Sequence, residues 1–199
     1  MTPDRAGAAS GRVAVARVAR VVRNGGLVAY PTEGVYGIGC AADDGDTVLR
    51  VLALKGRDAG RGLILIAASI EQIEPWIEPF AAAARRRVEA TWPGPVTWVV
   101  PARAGIPDWL TGGRATLAVR VTAHPLASAL CAAAGVALVS TSANRHGRPP
   151  ARDALAVRRI FGNEVDDVLV GACGPLGGPT EIRDLKSGRV LRPAPGVPA

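Results

Sequence analysis

The chain has 199 residues, of which 48% are hydrophobic and 21% are charged, a composition typical of a folded domain rather than a disordered chain. Its formal net charge of +7 favours anionic partners, such as nucleotides, nucleic acid or acidic lipid, without choosing among them. Three widely spaced cysteines and no apolar run long enough for a signal peptide or a membrane span predict a cytoplasmic protein without disulfides or membrane contact.

Helix and strand patterns interleave along the chain. Residues 1–11 predict a flexible N-terminus, and residues 12–196 a single folded domain. In chain order the patterns predict a helix over 13–24, a strand at 27–31, a helix ending at Leu54, a strand at 63–67, a helix over 80–92, strands at 96–100 and 117–121, a helix over 125–135, a strand at 137–139, a helix over 153–161, a strand at 165–170 and a hairpin over 180–192. The irregular alternation and the hairpin predict an α/β domain with a mixed sheet.

A basic, glycine-rich segment precedes the strand at 63–67. It reads Lys55-Gly56-Arg57-Asp58-Ala59-Gly60-Arg61-Gly62, and Lys55 is one of two lysines among the 24 lysines and arginines of the chain. Because an ammonium is a compact charge and a guanidinium is a planar fork, a lysine here suggests a need for charge alone. Lys55, Arg57 and Arg61 could surround a polyphosphate, although composition alone leaves open a solvated basic loop.

Three other segments at strand ends, 31–39, 140–150 and 177–184, carry small and hydroxyl-bearing residues. Ser140, Ser142 and Asn144 offer hydroxyls and an amide directly after a strand, although such residues also serve in caps and turns. Thr32 and Thr180 each follow a proline and have the same two interpretations. Since ligands of α/β folds bind at strand ends, these segments are candidates for the ligand site.

Seven motifs in order resemble the YrdC family. They are Tyr30-Pro31-Thr32-Glu33 with Val35-Tyr36-Gly37, Lys55-x-Arg57 leading to Gly62-Leu63-Ile64-Leu65-Ile66, Trp92-Pro93-Gly94-Pro95-Val96-Thr97, Leu117-Ala118-Val119-Arg120 with His124-Pro125, Ser140-Thr141-Ser142-Ala143-Asn144, Pro179-Thr180-Glu181-Ile182-Arg183-Asp184, and Arg192. The resemblance spans about residues 13–196 and is to the short, single-domain bacterial form.

The resemblance implies a single-domain YrdC-like fold, with a twisted mixed sheet and flanking helices around a large positively charged cavity. It implies the conversion of L-threonine, bicarbonate and ATP, with Mg²⁺, to threonylcarbamoyl-AMP and pyrophosphate. A separate transferase complex (TsaD, TsaB and TsaE) would then use the product to form N6-threonylcarbamoyladenosine (t6A) at position 37 of tRNA. Weak direct binding of tRNA is a further expectation, and no metal ligands of the protein itself are expected.

The resemblance also assigns roles to residues. The catalytic residues are Lys55, Arg57, Ser142 and Asn144; these four bind ATP together with Arg61 and Arg192; and Thr32, Ser140 and Thr180 line the threonine pocket. Gly34 and Pro150 replace hydroxyl residues of the family, and Ile66 stands where longer members tend to have a threonine-contacting histidine. No contact is therefore assigned to these three positions.

Two alternatives remain open. One is the carbamoyl-adenylate-forming domain of hydrogenase maturation proteins, which uses carbamoyl phosphate and sits in much larger chains. The other is an RNA-binding module without catalysis, suggested by the net charge and the run Arg85-Arg86-Arg87, although no aromatic residues interleave with that run. Such a module predicts salt-sensitive RNA affinity that survives the loss of Lys55 and Ser142.

Overall fold

A computed structural model describes residues 5–56 and 59–196. In that part of the chain the helices are α1 (Arg5–Arg23), α2 (Gly45–Lys55), α3 (Ala82–Glu89), α4 (Asp108–Thr111), α5 (Pro125–Ala134) and α6 (Ala154–Phe161). The strands are β1 (Val28–Pro31), β2 (Tyr36–Gly39), β3 (Ile64–Ala67), β4 (Val96–Pro101), β5 (Thr116–Val121), β6 (Leu138–Ser142), β7 (Asp167–Val168), β8 (Glu181–Asp184) and β9 (Val190–Arg192).

All of these strands join one sheet in the order β7-β1-β2-β6-β3-β5-β4-β8-β9. The pairs β1/β7, β3/β5 and β4/β8 are parallel, and the remaining neighbours are antiparallel. The predicted mixed α/β sheet is therefore confirmed, and its last two strands are the antiparallel pair that the hairpin pattern predicted.

Alternating side chains of the central strands bury two cores, one on each face of the sheet. On β3, Ile66 packs with Val18 of α1 and Leu130 of α5, whereas its neighbour Leu65 packs on the opposite face with Val48 of α2. All of these side chains are fully buried, and each such burial stabilises the fold by about 1.5–3 kcal/mol. The sheet is thus fixed in position by helices on both sides.

The face that carries Ile66 is only partly covered by α1 and α5. Ile64, two residues earlier on the same face, pairs with Ser140 of β6 and with Ala118 of β5. These three residues line a cavity of about 330 Å³. The cavity therefore occupies the part of this sheet face that the two helices leave open.

Two helix boundaries determine where Lys55 lies and how far the fold extends toward the N-terminus. α2 begins at the side chain of Asp44, which accepts the backbone N–H of Thr47, and ends at Gly56, so that Lys55 lies in its last turn. α1 begins at Arg5, earlier than the predicted start at residue 13, because alanines with high helix propensity extend the helix into the segment predicted to be a flexible N-terminus. Among the described residues, no helix is long and apolar enough to cross a membrane.

Candidate active site

The open half of the sheet face brings together segments that lie far apart in the sequence. Of the residues assigned to the site from the sequence, the cavity is lined by Thr32, Arg61, Ser140, Ser142, Thr180 and Arg192. These residues come from the loops after β1 and before β3, from β6, from the residue that precedes β8, and from β9. The predicted convergence of strand-end segments is thus present in the structure.

Lys55 and Asn144 lie behind this wall rather than among the lining residues. The ammonium of Lys55 donates to the carbonyl oxygen of Ser142 at 2.6 Å, to Oδ1 of Asn144 at 2.6 Å and to the carbonyl oxygen of Asn144. Ser142 Oγ also donates to Asn144 Oδ1 at 2.7 Å. Lys55 therefore holds the end of β6 in place, and its side chain is almost fully buried. Arg57, the partner of Lys55 in the motif, lies outside the described residues.

The loop after β6 is anchored from its other side by Arg145. Its guanidinium donates to the carbonyl oxygen of Leu54 at 3.3 Å, forms an ion pair with Glu164 and stacks over the ring of Phe161, with 5.0 Å between Cζ and the ring centroid. The loop is therefore held between the end of α2 and the end of α6. Sequence reasoning gave Arg145 no role.

A buried ion pair adjoins the cavity. Arg120 Nη2 lies 3.3 Å from Glu33 Oε2, and the two side chains are 5% and 10% exposed. Arg120 Nη1 donates to Thr180 Oγ1 at 2.7 Å, and Glu33 Oε1 accepts from Thr122 Oγ1 at 2.6 Å and from the backbone N–H of Ala123 at 3.1 Å. Arg120 Nε and Glu33 Oε2 have no hydrogen-bond partner of their own. The pair therefore places a cation beside Thr180, at the wall of the cavity.

Arg114 and Arg120 join the predicted residues Arg61 and Arg192 at the cavity. Arg114 Nη1 donates to the carbonyl oxygen of Gly60 at 3.0 Å, which joins the basic segment to the residues after α4. Arg192 donates through Nε and Nη2 to the carbonyl oxygen of Thr180, at 3.1 and 2.6 Å. Arg61, Arg114, Arg120 and Arg192 all line the cavity, and its described lining residues include no carboxylate.

Sequence reasoning missed the roles of Arg114 and Arg120. Arg120 carried a recognisable signal, because it is a charged residue at an inward position of an otherwise apolar strand, and such a residue is rarely buried unless paired. Arg114 carried no comparable signal, because it lies in a glycine-rich turn where exposed arginines are common. Its role depends on the contact between two loops.

The cysteines are not part of this site. Burial raises the pKa of Cys40 and of Cys131 to about 12, so both thiols stay protonated at neutral pH and neither is an activated nucleophile. In the described part of the chain, no three His, Cys, Asp or Glu side chains are grouped as metal ligands would be. The polar side chains among the described lining residues are guanidinium groups and hydroxyls.

The described residues form an α/β sheet whose open face carries an arginine- and hydroxyl-lined cavity, a lining that favours anionic small molecules. The family model Sua5/YciO/YrdC, which carries the description "telomere recombination", matches residues 20–194. The chain belongs to this family, as its motifs predicted.

Individual relatives of known name support this family membership. Over 174 residues, 87% of this chain and 94% of the relative, the chain is 55% identical to a threonylcarbamoyl-AMP synthase of Nitrosococcus oceani. It is 53% identical to that of Halorhodospira halophila over 178 residues, 89% of this chain and 93% of the relative. Among solved structures, P. abyssi Sua5 complexed with L-threonine superposes with a TM-score of 0.84 and 35% identity; the match covers 90% of this chain but only 54% of Sua5.

Proposed function

We propose that this chain is a threonylcarbamoyl-AMP synthase, which converts L-threonine, bicarbonate and ATP to threonylcarbamoyl-AMP and pyrophosphate. One observation carries the proposal: a single cavity joins the basic segment at Arg61, the Ser142 end of β6 and the Arg120–Thr180 contact. Identity of about half with curated synthases, over nearly their whole length, supports the same conclusion.

The reaction needs little covalent chemistry from the protein. The amine of threonine first combines with bicarbonate, losing water, to give an N-carboxylate. An oxygen of that carboxylate then attacks the α-phosphorus of ATP, and the bond to the β-phosphate breaks to release pyrophosphate. Because both reactants are anions, cations must offset their repulsion and stabilise the charge that builds on the phosphoryl oxygens.

The nucleotide side of the site is formed by the basic segment and the end of β6. Arg61, Arg114 and Arg192 line the cavity and would bind phosphate oxygens, and Arg57 is assigned the same role by the motif. Ser142 lines this cavity, Asn144 lies behind it, and the contacts of Lys55 with both residues fix the end of β6. Preorganised donors of this kind contribute by not having to reorient during the reaction.

The amino acid side of the site is formed by Arg120, Thr180, Thr32 and Ser140. Arg120 provides a positive charge for the α-carboxylate of threonine, and its contacts with Glu33 and Thr180 restrict its orientation. Thr32 and Ser140 line the same cavity.

Mg²⁺ would enter with ATP. The described lining residues supply hydroxyls and no carboxylate, so the ion would be held mainly by phosphate oxygens and water, as Mg²⁺ commonly is in nucleotide sites. We further propose that the product passes to the TsaD, TsaB and TsaE transferase complex for t6A formation at tRNA position 37. The net charge of +7 is compatible with weak contact with that tRNA.

The proposal is tested by pyrophosphate release from the purified protein. Release is expected only when ATP, bicarbonate and L-threonine are all present. Carbamoyl phosphate given in place of bicarbonate and L-threonine should not support release. Release that depends on carbamoyl phosphate instead would favour the hydrogenase-maturation chemistry. RNA affinity without any release would favour the binding module.

A further inference from the structure

Gly34, in the turn between β1 and β2, is a glycine that a neighbouring segment requires. Its φ is not positive, so any L-residue could adopt the same backbone conformation. A Cβ at position 34 would, however, lie 1.9 Å from the carbonyl oxygen of Gly178 and 3.0 Å from both the carbonyl carbon and the nitrogen of that residue. Cβ atoms of folded proteins essentially never lie within 3.0 Å of another heavy atom. Position 34 is therefore glycine because the backbone of Gly178 comes so close.

The segment that approaches this turn, residues 174–180, is here called the wall segment. The backbone N–H of Gly174 donates to the carbonyl oxygen of Thr32 at 2.9 Å. The backbone N–H of Leu176 donates to the carbonyl oxygen of Glu33 at 3.1 Å. Gly174 is also confined, since a Cβ there would lie 2.6 Å from the carbonyl oxygen of Glu33. Backbone hydrogen bonds and glycines thus hold the wall segment directly against the turn.

The far end of the wall segment forms part of the cavity, which Gly178, Pro179 and Thr180 line. Two arginines hold Thr180 there. Arg120 Nη1 donates to Thr180 Oγ1 at 2.7 Å, and Arg192 Nη2 donates to the carbonyl oxygen of Thr180 at 2.6 Å. Because Thr180 follows Gly178 by two residues, a shift of Gly178 away from the turn would move Thr180 relative to Arg120.

We propose that Gly34 is a positioning residue for the amino acid side of the site, whose missing side chain lets the wall segment close until Thr180 meets Arg120. Gly34 is not among the described residues that line the cavity, so it acts through the wall segment. The inference rests on the proposed function, in which Arg120 carries the charge for the α-carboxylate of threonine. It adds a residue outside the cavity that sets the geometry inside it.

The expected size of the effect follows from the size of the displacement. Gly34→Ala would force the wall segment back by about 1 Å, from 1.9 Å to the 3.0 Å that a Cβ requires, and a misplacement of about 1 Å can lower the rate by about 10²-fold. The kcat/KM for L-threonine should fall by about that factor, with a rise of at least about tenfold in KM for L-threonine. KM for ATP should stay nearly unchanged, because Arg61 and Arg114 belong to other segments of the cavity lining.

The experiment measures KM for L-threonine and KM for ATP, through threonine-dependent pyrophosphate release, in the wild type, Gly34→Ala and Gly11→Ala. Gly11 is a matched control, because it lies in α1 and a Cβ there meets nothing within 4 Å. A merely structural role would reduce the amount of active enzyme, and therefore the apparent kcat, without raising either KM.

The outcomes separate the inference from the proposed function. A rise in KM for L-threonine, with KM for ATP nearly unchanged, is expected for Gly34→Ala and not for Gly11→Ala. A wild-type KM for L-threonine in Gly34→Ala, or an equal rise in KM for both substrates, would overturn the inference alone. A wild type that releases no pyrophosphate with threonine would overturn the proposed function and the inference with it.

A second variant tests the wall segment without a buried clash, and so remains informative if Gly34→Ala does not fold. Exposed Arg152 donates through Nη2 to the carbonyl oxygen of Gly177, next to Gly178. Arg152→Ala removes this hydrogen bond and should raise KM for L-threonine by about 2–10-fold, with KM for ATP unchanged. Arg159→Ala is the control, because Arg159 is an exposed arginine of α6. A wild-type KM for L-threonine in Arg152→Ala would contradict the role of the wall segment.

Discussion

Removal of the Lys55 ammonium is the perturbation for which the structure gives the most detailed expectation. Lys55 is nearly buried and donates to Ser142 and Asn144, which carry the hydroxyl and amide assigned to ATP. Lys55→Ala removes these bonds and leaves the carbonyl oxygens at the end of β6 without that donor. We therefore expect losses of both stability and activity.

The two losses can be estimated separately. A hydrogen bond to a charged group contributes about 1.5–3 kcal/mol. Water from the adjoining cavity can satisfy part of what Lys55 leaves, so the free energy of unfolding should fall by about 2–3 kcal/mol rather than by the sum of the bonds. Lys55 acts on the reaction through the position of Ser142 and Asn144, and a misplacement of about 1 Å in such supporting groups can lower the rate by about 10²-fold. We expect kcat/KM for ATP to fall by about that factor.

The assay pairs urea unfolding with threonine-dependent pyrophosphate release. Lys186→Ala is the matched control, because Lys186 is the second lysine of the chain and lies exposed in the turn between β8 and β9. Near-normal release by folded Lys55→Ala would refute the role assigned to Lys55. An unchanged free energy of unfolding would contradict its bonding to the end of β6.

Other contacts of the site and its supporting helices give three more predictions. Arg120→Ala should lower the free energy of unfolding by about 3–5 kcal/mol, because it leaves the buried carboxylate of Glu33 unpaired. Urea unfolding measures this change, and a loss below about 1 kcal/mol would argue against the ion pair. Asp44→Ala should cost about 1 kcal/mol at pH 7. Hydrogen bonds from the first turn of α2 lower the pKa of Asp44 in the folded state, so this contribution is present above the unfolded-state pKa and is lost as pH falls through the folded-state pKa. Urea unfolding of the wild type and of Asp44→Ala at several pH values checks this. If the difference in the free energy of unfolding between the two proteins grew on acidification, the prediction would be contradicted. Iodoacetamide at pH 8 should alkylate half-buried Cys173 first and reach Cys40 and Cys131 only after unfolding, as peptide mass mapping would show. Equal rates in folded protein would contradict the burial.

The sheet and the convergence of the motifs could be predicted because they depend on local patterns. Strands such as 63–67 are short apolar runs bounded by turn residues, and the motif residues lie directly beside them. Once such strands share a sheet, the segments at their ends approach one another. Thr32, Ser140 and Thr180 accordingly meet at one cavity.

The direction of individual side chains could not be predicted in this way. The sequence marked Lys55 as an unusual lysine, but only the fold shows that its ammonium faces the carbonyl oxygens at the end of β6 rather than the cavity. The buried pair of Arg120 and Glu33 joins residues far apart in the chain, and neither local pattern indicates the other. Contacts between distant loops depend on packing that a single sequence does not display.

The central claim is that this chain joins bicarbonate and L-threonine to the adenylyl group of ATP. The most direct test is mass spectrometry of the reaction product formed from ATP, L-threonine and either ordinary or ¹³C-labelled bicarbonate. We predict threonylcarbamoyl-AMP whose mass rises by about one unit with the labelled carbon, in line with one carboxyl transferred per nucleotide. Hydrolysis of ATP without such a product, or a product whose mass does not change with the label, would contradict the claim.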